Sequence, residues 1–154
     1  MDGEIFAIAC QEKSVLTGKI KRMFCEKPQQ SNCQVQIEAS DAVISMSEDK
    51  QAIAVTVTNL GSETITSRRK YPINLAYHIL DRTGNMILFD GERTPIEPEI
   101  QSGSKRDMRM WLRVPPNLDF SKEYICRITL VAEQCFWFDQ DGENKKDISV
   151  RVAI

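Results

Sequence analysis

Apolar and polar residues alternate with a period of two through most of this chain beyond residue 40. Ala42, Ile44 and Met46 form the first such run. Ile53, Val55 and Val57 alternate with Ala54, Thr56 and Thr58 in the second. Ile73, Leu75, Tyr77 and Ile79 then alternate with Asn74, Ala76, His78 and Leu80. Met108, Met110, Leu112 and Val114 alternate with Arg109, Trp111 and Arg113. Tyr124, Cys126, Ile128 and Leu130 form another apolar set, and Ile148, Val150, Val152 and Ile154 form the last. Successive strand side chains point to opposite faces, so each run predicts a strand with a core face and an outer face. Turn-forming residues separate the runs at Asn59-Leu60-Gly61-Ser62 and at Asp81-Arg82-Thr83-Gly84-Asn85, the second predicting a hairpin that returns through residues 86–89. Pro115-Pro116 ends a strand because proline has no amide to give to a ladder. Short strands at regular spacing predict an all-β fold, an immunoglobulin-like antiparallel β-sandwich. Its expected core includes Val55, Val57, Leu75, Tyr77, Met110, Leu112, Ile128, Leu130, Val150 and Val152.

The first 39 residues read differently, as an N-terminal extension packed on a sandwich of residues 40–154. Residues 5–10 suit a strand. Val15, Leu16, Ile20, Met23 and Phe24 fit either a short amphipathic helix or a strand pair, and Cys33, Val35 and Ile37 look like a strand again.

Composition narrows the function classes. A chain of 154 residues, 42% hydrophobic and 27% charged, makes one ordinary globular domain. A net charge of −2 argues against a dedicated nucleic-acid binder. No apolar run approaches the ~18 residues of a membrane span, and the N-terminus lacks the basic flank and apolar core of a signal peptide. A cytoplasmic protein, or a cytoplasmic piece of a longer one, is expected. Cys10, Cys25, Cys33, Cys126 and Cys135 are odd in number with no Cys-x-x-Cys pair, which reads as reduced, mostly buried thiols; Cys25 and Cys33 could meet across a hairpin. Asp139-Gln140-Asp141-Gly142-Glu143-Asn144 has a calcium-loop flavour but lacks the twelve-residue spacing and terminal Glu, and reads first as a hydrated turn. Motifs for nucleotide, zinc or acyl-transfer chemistry are missing, so no enzyme, metal or cofactor is expected.

Binding is better supported. Sugars are held by planar polar side chains that pair with hydroxyls and by an aromatic face against the C–H side of the ring; a charged sugar adds a need for Arg. Asn74 and His78 share a strand face, Arg93 follows the hairpin in Asp90-Gly91-Glu92-Arg93, and Glu133 has the parity to face His78 from a neighbouring strand. Trp137 adds a ring. Each of these reads equally as a surface or cap residue, and Trp137 as core. A second grouping, Arg109, Trp111 and Arg113, lies opposite Met108, Met110 and Leu112. It suits sugar stacking, a protein interface, or simple coverage by the N-terminal segment.

These residues fall in a series that resembles a known family. Val57-Thr58-Asn59-Leu60-Gly61-Ser62-Glu63-Thr64, the run 73–80, Phe89-Asp90-Gly91-Glu92-Arg93-Thr94-Pro95-Ile96, Ser102-Gly103-Ser104, Leu130-Val131-Ala132-Glu133 and Trp137-Phe138 occur in the order found in the C-terminal carbohydrate-binding domain of Wzt-type proteins, the ATP-hydrolysing subunits of O-antigen polysaccharide ABC transporters. The resemblance spans residues 42–154. It implies recognition of the terminal, capped end of a bacterial O-antigen polysaccharide at the inner face of the inner membrane; Asn74, His78, Arg93, Glu133 and Trp137, grouped above by their own chemistry, are the site expected to hold it. It also implies a homodimer exchanging its last strand, with ATPase and transmembrane parts outside this chain. Ile65 and Ile79 stand where the family commonly has an aromatic and a Trp. The alternatives are a protein-interaction or assembly sandwich, or the same module appended to a polysaccharide-cluster glycosyltransferase or methyltransferase.

Overall fold

The computed structural model describes residues 25–45, 47–113, 115–119 and 121–153. The strand read at residues 5–10 and the helix or strand pair at 14–24 lie outside them. Among the described residues, ten strands follow a 3-10 turn: β1 (Val35–Glu38), β2 (Ala42–Ser45), β3 (Lys50–Asn59), β4 (Ile73–Asp81), β5 (Met86–Leu88), β6 (Thr94–Pro95), β7 (Lys105–Arg113), β8 (Glu123–Ala132), β9 (Phe136–Trp137) and β10 (Lys146–Ala153). One sheet has the order β1-β3-β7. The other runs β2-β10-β8-β4-β5, with β6 on β4 and β9 on β8. Their inner faces form one core, and all ten residues expected there are buried, none more than 3% exposed. The fold is an immunoglobulin-like β-sandwich.

Two features depart from the sequence reading. β1 pairs with β3, Val35 opposite Asn59 and Glu38 opposite Thr56, so the sandwich begins ahead of the boundary placed at residue 40. The chain then changes sheet between Glu38 and Ala42, and β2 enters the second sheet beside the last strand, parallel to it, Ala42 opposite Val150 and Ser45 opposite Ala153. The second sheet is therefore mixed. Gln51 secures this crossing: its amide donates to Val43 O at 3.0 Å and accepts from Ser45 N at 3.1 Å, occupying the exposed edge of β2.

The β4–β5 hairpin forms where its turn residues place it. Asp81 organises the loop. Its Oδ1 accepts from Thr83 N at 2.9 Å, Thr83 Oγ1 at 2.7 Å and Asn85 N at 2.8 Å, while Gly84 takes the φ of 92° that the turn needs. The Thr83 hydroxyl, followed by Asn85, pulls the Asp81 carboxyl down to about 2. A carboxyl depressed in the folded state adds stability that is present above its unfolded value of ~3.9 and is lost as pH falls towards about 2. Asp81→Asn is therefore expected to unfold at lower urea than the parent at pH 7, with the difference shrinking at pH 2.5. Equal midpoints at pH 7 would show that the loop does not use this carboxylate.

Cys33 and Cys126 are buried free thiols, each pushed up to about 12 by burial, and Cys135 is free and half-buried. Cys25, expected to be reduced, is disulfide-bonded, and Cys33 is not its partner.

Candidate functional site

The outer face of β4 is the unexpected surface. Alternation predicts polar handles open to water, yet Ala76 is fully buried, His78 is 1% exposed and Leu80 is 5% exposed. The cover over His78 comes from the two short segments that follow the long strands. After β8, Glu133-Gln134-Cys135 reverses the chain, with Gln134 at a φ of 65°, and β9 returns along β8 so that Trp137 lies opposite Val131. Val131 in turn lies opposite Asn74, and Asn74 opposite Pro95. Residues directly paired across strands share a face, so Trp137, Val131, Asn74 and Pro95 form one row across the outer surface.

Glu133 ties this row together. Its Oε2 accepts from Asn74 Nδ2 and from Arg93 Nε, both at 2.8 Å, and Oε1 accepts from Arg93 Nη2 at 3.4 Å. Asn74 Oδ1 accepts from Ser67 Oγ at 2.6 Å, which fixes the amide orientation. Arg93 Nη1 donates to Gly91 O at 2.7 Å and pairs with Asp90 Oδ1 at 2.7 Å. The guanidinium carbon lies 4.8 Å from the centre of the Trp137 ring, a cation–π contact. Burial works to lower the Arg93 pKa, but the hydrogen bonds it donates to Glu133 and Asp90 outweigh it and raise the pKa. Gly91 is required here: a Cβ would fall 2.5 Å from Tyr77 O and 2.7 Å from its ring, displacing the segment that carries Arg93.

His78 is the centre of an aromatic group. Its ring centre is 4.6 Å from that of Phe89 and 4.5 Å from that of Trp137, and those two are 5.0 Å apart. Nδ1 bonds Phe89 O, and Nε2 lies 3.1 Å from Asp139 Oδ2. Both neighbours are oxygen acceptors, so both contacts are hydrogen bonds only when the ring carries two protons. Through these bonds His78 holds in place the backbone of Phe89 and the loop at Asp139.

An open depression of about 380 Å³ lies beside this assembly, its walls including Phe89, Asp90, Arg93, Glu133, Gln134 and Trp137. The structure thus brings together all five residues singled out from sequence, in two layers. Arg93, Glu133 and Trp137 line the depression; Asn74 and His78 support it from beneath. His78 is too buried to meet a hydroxyl directly. Trp137 is half-buried, its ring packed by Arg93 and His78, whereas Phe89 is 53% exposed. Phe89, Asp90 and Asp139 went unrecognised as site residues. Phe89 read as the end of a strand and as part of the run that carries the family resemblance, and Asp139 as part of a hydrated turn.

The electrostatics revise the role expected of Arg93. Among the five groups in direct contact, three carboxylates, Asp90, Glu133 and Asp139, outnumber one guanidinium and one imidazole, so that set is net negative whichever way His78 is protonated; Arg127, opposite His78 on β8, is paired with Asp147. Arg93 is committed to Glu133 and Asp90 and offers no vacant fork to an acidic cap. Among the described residues no group of three or more His, Cys, Asp or Glu is placed to hold a metal ion. Asp141 instead caps its own turn, accepting from Glu143 N at 3.1 Å.

The second grouping lies on the other sheet. Arg109, Trp111 and Arg113 point outward from β7, and Trp111 is 40% exposed with the Lys50 ammonium 5.1 Å from its ring centre.

No protein-family model matches this chain. No curated protein matches it either. Its likenesses are to solved structures. The CARDB domain of PF1109 from Pyrococcus furiosus, in its solution structure, has 16% identity and a TM-score of 0.45 over 79% of this chain and 94% of that one. The crystal structure of the same domain in complex with di-metal ions has 17% identity and a TM-score of 0.42 over 83% and 97%. The Pseudomonas fluorescens alkylpurine DNA glycosylase AlkC, bound to DNA containing an abasic-site analogue, has 13% identity and a TM-score of 0.41 over 77% of this chain and 31% of its own. At these identities the likeness is one of fold. No helix among the described residues is long and apolar enough to cross a membrane.

Proposed function

We propose that this chain is a non-catalytic carbohydrate-binding domain whose depression beside β9 takes the terminal sugar of a bacterial surface polysaccharide, an O-antigen chain selected for ABC-transporter export at the inner face of the inner membrane. The observation that carries this reading is the fusion of a hydrogen-bonded polar triad, Asn74–Glu133–Arg93, with a three-ring aromatic cluster around one open depression. Phe89 offers a ring to the C–H face of a sugar, and Asp90, Glu133 and Gln134 offer partners to its hydroxyls. The roles of Arg93 and His78 are to position Glu133 and Phe89. The net negative cluster favours a neutral or amine-bearing terminal sugar over an acidic one.

The test is an array of O-polysaccharide fragments, capped and uncapped, probed with the parent chain and Phe89→Ala. Selective retention of chain ends by the parent and a tenfold or greater loss in the variant is the expected result. An array on which the parent retains nothing, or on which Phe89→Ala binds unchanged, removes the reading.

An open site of this kind binds weakly, and two sites meeting two chain ends gain from effective concentration. We therefore retain the homodimer with exchanged C-terminal strands as part of the proposal. β10 here pairs with β8 and β2 of its own chain, and its approach loop is held by Val35 N donating to Asn144 Oδ1 at 3.0 Å and by Thr129 Oγ1 donating to Asn144 O at 2.8 Å. Exchange would replace each of these with the same contact from a partner. Sedimentation at micromolar concentration should give a dimer; a monomer rejects the exchange.

A further inference from the structure

We infer that the outer face of the three-stranded sheet is a second glycan site, centred on Trp111 and selective for a saccharide bearing a carboxylate. This goes beyond the proposed function, because the site is on the other sheet and its charge preference is the opposite one.

The face is built by register. Trp111 lies opposite Ala52, and Arg109 opposite Ala54, so the two β3 residues paired with them rise no higher than a methyl group, while Lys50, next in that row, reaches over the indole. The result is a low apolar strip, Ala52 and Ala54, beside a ring that is 40% exposed. Strand rise puts side chains two residues apart at about 7 Å, so Arg109 and Arg113 bracket the ring along β7. The two arginines differ. Arg113 is paired with Asp49 at 2.6 Å and with Glu92 at 3.5 Å. Arg109 is exposed and, among the described residues, has neither an ion-pair nor a hydrogen-bond partner. Lys50 stands over the ring, 5.1 Å from its centre, with its nearest carboxylate oxygen on Glu92 3.9 Å away.

This arrangement differs from the depression on the other sheet, whose one arginine is quenched by two acids: here Asp49 and Glu92 take up Arg113 and leave Arg109 over. Here one guanidinium, Arg109, is unpaired, and an ammonium 3.9 Å from a Glu92 oxygen lies over the half-exposed ring. A sugar stacking on Trp111 would displace the Lys50 ammonium from over the ring and present its C–H face to the indole. A carboxylate on that sugar would lie between Lys50 and Arg109, where charge-assisted hydrogen bonds form at both ends. A neutral sugar has the ring but leaves Arg109 unused. An acidic peptide has the charge but no rigid C–H face for the ring.

The experiment uses the full chain, tetragalacturonate as probe, its fully methyl-esterified form as the uncharged control, and a tetraglutamate peptide as the charge control. Binding is read from the indole N–H cross-peaks of Trp111 and Trp137 in ¹H–¹⁵N spectra, assigned with Trp111→Phe. The uronate should shift the Trp111 peak saturably, with affinity falling severalfold between 50 and 300 mM salt. The ester and the peptide should each bind at least tenfold more weakly, and Arg109→Gln should lose the discrimination between uronate and ester. Both peaks should stay dispersed in the variant, showing that it is folded. Equal binding of the ester, equal binding of the peptide, shifts confined to Trp137, or no shift at either ring would each overturn the assignment. Failure of the depression to bind a sugar would leave this result unaffected, since the two sites report through different indoles.

Discussion

Arg69→Ala is expected to destabilise the protein by about 3–5 kcal/mol. Arg69 is 1% exposed and its partner Glu63 is 5% exposed, with Nη1 2.8 Å from Glu63 Oε1. The guanidinium also donates to Glu26 O at 3.0 Å, while its Nε has no partner. Such a pair adds little net stability when intact, because both charges lost their water on folding. Removing one partner is costly because the other charge stays behind in the same dry place. The double replacement Arg69→Met with Glu63→Leu should therefore recover most of the loss. Urea unfolding of the two single variants and the double closes the cycle. A loss below about 1 kcal/mol for Arg69→Ala would show that Glu63 is solvated in solution. The pair matters for the site as well. Its segment continues into Thr66 and Ser67: Ile73 N donates to Thr66 O at 3.0 Å, and Ser67 Oγ orients Asn74.

Leu112→Ala is expected to cost about 2–5 kcal/mol, the range for deleting a fully buried leucine side chain. Leu112 is 0% exposed and faces the core from β7 alongside Met110. Its neighbour in the opposite parity, Arg109, is exposed and unpaired, so Arg109→Ala should stay within about 0.5 kcal/mol of the parent. The contrast tests which face of β7 is the inner one, since a shift of one residue would exchange the two. A costly Arg109→Ala with a mild Leu112→Ala would reverse the strand and with it the exposed position of Trp111.

The strands were legible because burial on one face imposes a period of two, and that period is strong in runs such as Val55–Val57 and Leu112–Met110. Their inner residues all lie in the core. The short elements were harder. β9 has two residues and β6 has two, too few for any period, yet β9 carries Trp137 onto the outer face and β6 follows directly after Arg93. The polar face of β4 showed that Asn74 and His78 point the same way. It carried no sign that Phe89 and Trp137 would cover His78, because that cover is tertiary and comes from segments 11 and 59 residues further on. Asp139 sits in an acidic, glycine-containing stretch that reads as solvated, and only the folded chain brings it to His78. Arg69 lies in Ser67-Arg68-Arg69-Lys70, where three consecutive cations look alike; Arg68 and Lys70 are exposed and Arg69 is buried. Strand parity put Glu133 on the face of His78, and Arg93 stood out only by its place after the hairpin; the charge of the cluster depends on Asp90 and Asp139 as well.

The most direct test of the carbohydrate-binding account is a ¹H–¹⁵N titration of the full chain with an O-polysaccharide fragment ending in a neutral sugar. The account predicts saturable shifts concentrated at Phe89, the Arg93 Nε–H, Glu133, Gln134 and the Trp137 indole, with His78 responding through Phe89. Shifts that saturate on a different surface, or spectra unchanged at millimolar glycan, would contradict it.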